Sequence, residues 1–418
     1  MGQDCLWGLV YMNDKYIDFK RFELECATPV YVGSGKTLKT YEYIYNKNNQ
    51  EVLFLNEQKW ISFLSRHKLM EAYAEYVSNT AQKLGSRDKY RYRNENLLEW
   101  LLKRNISENE ISDVALRHSF AGLSVMQKDG GGGALNDVAC CMAAPDGRPY
   151  IPGSTIKGNL ATAIMFRLLQ KNQKLKEKYW SIIKERNQKN QENGLRAKAS
   201  NGKGTLENEM MQELLGKLDI EKGNFGVKSV MRGLLISDAL CADDVTTEVL
   251  MKMDANVAAN LNKYNAQNEE HGVALYRECI PSETKLNFTI SLDKRLMGEI
   301  GFNTIEDVLD ASRDFMEFNY DLQKSVFGRY YGDSLMGLKN ADLWLGGGGG
   351  FFSKTLVYAL APSVEEAKKV AARHLDLVFK NRHKHFATDK KLAPRALKIA
   401  YEDQSATLMG LCNLREVK

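Results

Sequence analysis

No apolar run in the 418 residues approaches the length needed to span a bilayer, and the opening Met-Gly-Gln-Asp-Cys has neither the basic nor the apolar region of a signal peptide. The expectation is a cytoplasmic location and no membrane partner. The seven cysteines, at 5, 26, 140, 141, 241, 279 and 412, show no Cys-x-x-Cys spacing and read as free thiols. Histidine is scarce, with six in the chain. Two of them, His383 and His385 in Arg-His-Lys-His-Phe, invite a zinc reading, yet no Cys or carboxylate cluster beside them completes a site. The Gly-x-x-x-x-Gly-Lys-Ser or Thr spacing of a Walker loop is missing, so nucleotide hydrolysis has no support. Neither a metal nor a cofactor is expected.

What is present is ordinary in amount and uneven in placement. Hydrophobic content of 44% and charged content of 27% suit a globular chain, long enough for two or three domains. The net charge is only +5, but residues 166–203 carry eleven Lys or Arg against three Glu, and residues 372–398 carry eight against two Asp with three His added. Positive charge concentrated beside glycine loops points to a polyanion, although solvated helix faces also carry many lysines.

Three glycine elements stand out. Residues 150–169 read as a short strand stopped by Pro152 and Gly153, then a helix with Ser154 or Thr155 as cap and Ile156, Leu160, Ile164 and Leu168 on one face. Lys157 and Gly158 lie in its first turn, where a lysine opposes the helix dipole unless an anion covers the amides. The plain alternative is an ordinary capped helix. A second element, Gly33, Ser34, Gly35 and Lys36, follows the strand predicted at residues 17–26; it reads either as an ordinary turn or as another phosphate loop. The third, Gly346, Gly347, Gly348, Gly349 and Gly350, sits between Trp344 and Phe351-Phe352 with Lys354 close behind. Aromatic flanks are not those of a free linker, so this backbone is expected to press against a ligand or another chain. A fourth run, Gly130 to Gly133, is a hinge or a close-approach point.

Along the chain, a hairpin is predicted at residues 41–55, a helix from Asn56 to Leu64, a helical insertion over 66–118 and an extended segment at 120–126. Further strands are predicted near 229–239, 245–253, 273–280 and 285–292, helices near 206–218, 304–319 and 364–379, and a closing sheet from 395–400 and 407–414. Residues 87–93 interleave basic and aromatic side chains, a mixture that suits either stacking on bases or an exposed loop with no partner. Strands, glycine loop, helix and more strands recur about twice. That predicts an α+β fold of two ferredoxin-like (RRM-like) domains with helical and basic insertions. The expected division is residues 1–240, with insertions at 66–118 and 166–220, and residues 241–418.

Taken in order, Thr-Pro-Val-Tyr-Val-Gly-Ser-Gly-Lys, Tyr-Glu-Tyr-Ile-Tyr, Tyr-Ile-Pro-Gly-Ser-Thr-Ile-Lys-Gly, Gly-Leu-Leu-Ile-Ser-Asp-Ala, the late glycine loop and Ala-Pro-Arg-Ala-Leu-Lys resemble the RAMP superfamily of CRISPR RNA-binding proteins. Within it the chain is similar to the fifth-subunit family of type III-A Csm effector complexes. The resemblance implies two RAMP domains, binding of the 3′ portion of the guide RNA (crRNA) as a cap, and support of guide 3′-end maturation through recruited nucleases. It also implies a backbone RAMP subunit, a small helical subunit and target RNA as partners. By motif match, the three loops with Lys36, Lys157 and Lys354 are the positions placed against RNA. Amides and lysines meet phosphates whatever the base, which suits a protein that accepts any guide. Tyr31, Trp344, Phe351 and Phe352 offer stacking surfaces or, more commonly, core packing.

The expectation is a binding subunit and not an enzyme. The alternatives are a RAMP endoribonuclease, for which His118 is the candidate acid or base and Asp129 and Asp137 the candidate acidic loop residues, or a different RAMP subunit, either a type III-B counterpart or the one holding the guide's 5′ tag.

Overall fold

The computed structural model describes residues 15–85, 96–122, 135, 137–192, 206–218, 225–241, 245–260, 269–402 and 405–417. Two curled sheets carry an α+β fold consistent with tandem ferredoxin-like domains. The seven-stranded sheet runs β13 (Leu343–Trp344), β16 (Leu411–Val417), β1 (Ile17–Cys26), β12 (Lys285–Asp293), β9 (Ala239–Cys241) and β7 (Tyr150–Ile151), with β8 (Leu234–Ile236) also on β12. The nine-stranded sheet runs β2 (Gly33–Leu38), β6 (Val138–Cys141), β11 (Glu269–Cys279), β10 (Thr247–Asn256), β5 (Ala115–Ala121), β4 (Glu51–Leu55) and β3 (Tyr43–Asn46), while β14 (Ala396–Glu402) joins β10 and β15 (Ser405–Leu408) joins β14. Each sheet takes strands from both sides of residue 240.

Alternation explains the first sheet. In β1, Phe22, Leu24 and Cys26 turn inward and meet the inward set of β12, Leu286, Phe288, Ile290 and Leu292. Against that side lie the helix Gly153–Gln170 and the helix Ile305–Asn340, tied together where Arg167 Nη2 donates to Asp314 at 2.6 Å and Arg167 Nη1 donates to the Asp307 carbonyl at 3.0 Å. The second helix was expected to stop near residue 319 and instead continues to Asn340. Apolar burial of Val326, Phe327, Leu335 and Leu338 carries it through Gly328, Gly332 and Gly337, with a kink at Tyr331 (φ −129°, ψ 34°). The closing sheet is corrected as well: β14 and β15 stay in the nine-stranded sheet while β16 crosses to the other.

The insertion after β4 forms its own core. Asn56 caps the helix Glu57–Arg66, and Trp60, Phe63, Leu64, Tyr76, Leu97, Trp100 and Leu101 pack over Ile44 and Leu53 of the hairpin β3–β4. In the basic insertion, the helices Gln173–Glu192 and Leu206–Leu215 are joined by Arg186 to Glu209 at 2.9 Å and by Lys178 to Glu213 at 2.6 Å. Part of that positive charge is therefore answered within the chain. Six cysteines are described, all buried and free. No helix among the described residues is long and apolar enough to cross a membrane.

Candidate nucleic-acid interface

Of the six connections that pass from one sheet to the other, five meet in a single seam. Between β1 and β2, Val30 exchanges backbone hydrogen bonds with Ile280, which follows β11, both at 2.9 Å. Gly410, between β15 and β16, donates its N–H to the Pro29 carbonyl at 2.9 Å and accepts from the Leu345 N–H at 2.7 Å. Gly347 donates to the Tyr31 carbonyl at 2.8 Å, and Met142, between β6 and β7, donates to the Val32 carbonyl at 2.7 Å. Asn159, two turns into the helix Gly153–Gln170, donates its Nδ2 to the Trp344 carbonyl at 3.0 Å. The three glycine elements, far apart in sequence, are therefore neighbours.

Glycine is required where these strands of backbone cross. Gly346 (φ 79°) would place a Cβ 2.1 Å from the Tyr31 carbonyl oxygen, and Gly410 (φ 93°) would place one 2.1 Å from that of Leu345. The close approach expected of the third glycine loop is thus to its own chain. Trp344 and Phe352 are buried, with Trp344 Nε1 donating to the Met409 carbonyl at 3.0 Å, so these two rings serve as packing; Tyr31 and Phe351 remain partly exposed.

The helix start differs from expectation. Pro152 is the cap residue and makes no side-chain cap; Ser154 and Thr155 lie inside the first turn. A proline has no side-chain oxygen to offer, and the acceptor comes from elsewhere: Gly153 donates its N–H to Asp238 Oδ1 at 2.8 Å. One amide of the expected anion site is occupied by the chain's own carboxylate. Ser154 and Gly158 are exposed, and Lys157 is half-buried, its ammonium held below the ordinary lysine range by burial.

Gly33, Ser34, Gly35 and Lys36 form part of edge strand β2, which bulges away from β6 between Gly33 and Thr37. All four are exposed; Lys36 Nζ lies 3.0 Å from Glu57 in a surface pair. Lys354 is exposed at the end of the third loop.

The sequence reading missed three basic residues beside this seam. Lys252 of β10, Arg277 of β11 and Lys398 of β14 surround a small apolar patch of Leu250, Cys279, Ala400 and Met409, against which Tyr31 packs. The Arg277 guanidinium stands 5.2 Å over the Tyr31 ring, and the stem of Lys398 lies against Gly350. Lys398 pairs with Asp254. Burial, then the nearby charges of Lys398 and Arg277, press the Lys252 pKa down to about 8. The available signal was one lysine inside an otherwise apolar strand, Val-Leu-Met-Lys-Met.

Other candidates lie apart. His118 Nδ1 is 2.6 Å from Glu51 Oε1 on β5 and β4, and Asp137 pairs with Lys39. His385 Nδ1 faces the buried Asp389 at 2.8 Å, and among the described residues no group of three potential ligands that could hold a metal is formed. Asp129, Gly130 to Gly133 and residues 87–93 lie outside the described residues.

A model of the RAMP superfamily matches residues 23–353. Similar curated proteins are the Csm5 proteins of CRISPR systems from Streptococcus thermophilus, 23% identical over 81% of each chain, and from Enterococcus italicus, 22% identical over 92% of each. A solved chain in a Csm–crRNA–target RNA ternary complex of a type III-A CRISPR-Cas system superposes with a TM-score of 0.59 at 14% identity, covering 95% of this chain and 100% of that one. The crystal structure of T. onnurineus Csm5 gives 0.53 at 15% identity, covering 94% and 99%. Both likenesses are of fold.

Proposed function

The chain belongs to the RAMP superfamily, and from that membership we propose that it is a Csm5-type subunit of a type III-A CRISPR Csm complex, binding the 3′ portion of the guide RNA and capping that end of the filament. The observation that carries this reading is the convergence of the three glycine elements on one seam. Exposed Lys36 and Lys354, half-buried Lys157 and a backbone folded on itself suit phosphate contacts, the chemistry of a surface that accepts any guide. A backbone RAMP subunit, a small helical subunit and target RNA are the partners of this role, and guide 3′-end maturation falls to recruited nucleases.

The test is a salt-series binding assay of the full chain with 3′-end-labelled guide RNA, on a gel that also reports cleavage. The expected result is sequence-independent binding that weakens steeply with salt and with Lys157→Glu, without cutting. Preferential protection of the guide's 5′ tag would contradict the capping role. A second reading, that the chain itself cleaves RNA, is favoured by the His118–Glu51 pair, a histidine oriented by a carboxylate beside exposed Phe120. Cutting that survives repurification and is lost in His118→Ala would establish it.

A further inference from the structure

We propose that Lys252, Arg277 and Lys398 form a second phosphate-binding subsite, on the strand face beside the Gly346 to Gly350 loop, which carries the guide backbone from the seam onto the nine-stranded sheet. The proposal rests on the RNA-binding reading and adds residues that none of the glycine motifs contains.

The geometry comes first. β10, β11 and β14 bring the three side chains to one face: Leu250 stands opposite Arg277 and Asp254 opposite Lys398, while Lys252 lies where the β10–β11 register slips, between Met251 and Met253. The strongest charges acting on Lys252 are Lys398, Arg277 and Lys354 on the positive side and Asp254 on the negative. Among the described residues, Lys252, Arg277 and Lys398 share this face with Asp254, which is already paired with Lys398. A like-charge cluster in a half-buried setting opposes folding unless something answers it.

A second observation points the same way. Arg277 Nη1 is shielded from solvent and has no hydrogen-bond partner among the described residues. Buried guanidinium nitrogens are normally satisfied. Arg277 instead stacks on Tyr31, whose carbonyl holds Gly347, so the cluster is mechanically joined to the seam. An anion of the phosphodiester class supplies what is missing, several acceptor oxygens and negative charge, with no need of a particular base.

Lys252 also supplies the readout. An anion at the cluster restores its affinity for a proton, so RNA affinity falls as pH rises above about 8, where the free lysine loses its charge. Full-length wild type, Lys252→Met, Lys252→Arg and Lys398→Met are titrated with single-stranded RNA over a salt series and from neutral to alkaline pH. Lys252→Met and Lys398→Met are expected to bind roughly tenfold more weakly, each lowering the salt slope by about 0.7. Lys252→Arg is expected to keep its affinity and lose the alkaline fall. Wild-type affinity and slope in Lys252→Met, with an unchanged pH profile in Lys252→Arg, would overturn the subsite and leave the RNA reading standing. Absence of RNA binding by wild type would overturn the RNA reading, and inorganic tripolyphosphate then decides the subsite. A rise in wild-type Tm that is missing from Lys252→Met supports it, and no rise in either overturns it.

Discussion

Glu278 and Arg277 are neighbours on β11 and face opposite sides of the nine-stranded sheet. On one side, Glu278 is fully buried and fully answered. It accepts from Arg117 Nε and Nη2 at 2.6 and 2.7 Å, from Thr247 Oγ1 at 3.0 Å and from the Cys141 N–H at 3.1 Å. Burial works against the Arg117 charge, but the paired hydrogen bonds to Glu278 outweigh it and hold that guanidinium above its ordinary pKa. On the other side, Arg277 and Lys252 lie beside Lys398, and Arg277 Nη1 has no hydrogen-bond partner among the described residues. Adjacent positions on one strand thus differ: the charge that holds the fold is matched inside it, and the charges assigned to a ligand are not.

The largest expected effect lies on the closed side. Glu278→Ala leaves Arg117 buried without its partner and is expected to destabilise the protein by about 3–5 kcal/mol in denaturant titration, while the folded fraction keeps its RNA affinity. An affinity loss in that folded fraction would blur the contrast between the two faces. Next is Gly346→Ala, which drives a methyl into the Tyr31 carbonyl at a left-handed position. It is expected to cost about 1–3 kcal/mol and, by separating two loops, to weaken RNA binding as well, seen in paired melting and binding curves.

Lys252→Met is expected to act in the opposite sense on stability. Its folded pKa of about 8 lies below the ordinary lysine value of 10.5, so the fold binds fewer protons than the unfolded chain between those values. That contribution is complete above about pH 10.5 and is lost as pH falls through about 8. Removing the ammonium should raise Tm at neutral pH and flatten this alkaline rise in stability. The smallest effect belongs to Lys36→Ala. Its exposed pair with Glu57 is worth about 0–1 kcal/mol, so Tm should barely move while RNA affinity falls by the share of a single phosphate contact.

Local pattern made much of the fold legible. The strand at residues 17–26 coincides with β1 because Phe22, Leu24 and Cys26 alternate cleanly, and Asn56 announces the helix after β4 as its cap. Tertiary packing hid the rest. Glycines at 328, 332 and 337 obscured a helix sustained by its buried face, and the closing strands separated because Gly410 turns the chain from one sheet into the other. The glycine loops were visible as motifs, and their meeting was not, since the contacts run between residues 31, 159, 347 and 410. Lys252 looked like an interruption in an apolar strand, and its meaning depends on Arg277 and Lys398, which only strand pairing brings near.

The central claim is tested most directly by photo-crosslinking guide RNA, carrying 4-thiouridine in its 3′ portion, to the full chain and sequencing the attached peptides. The account predicts crosslinks in the peptides holding Tyr31 to Lys36, Lys157, Lys252 and Lys354. Crosslinks confined to the open face of the seven-stranded sheet, where Phe19, Leu235 and Leu240 are exposed, with none at the seam, would contradict it.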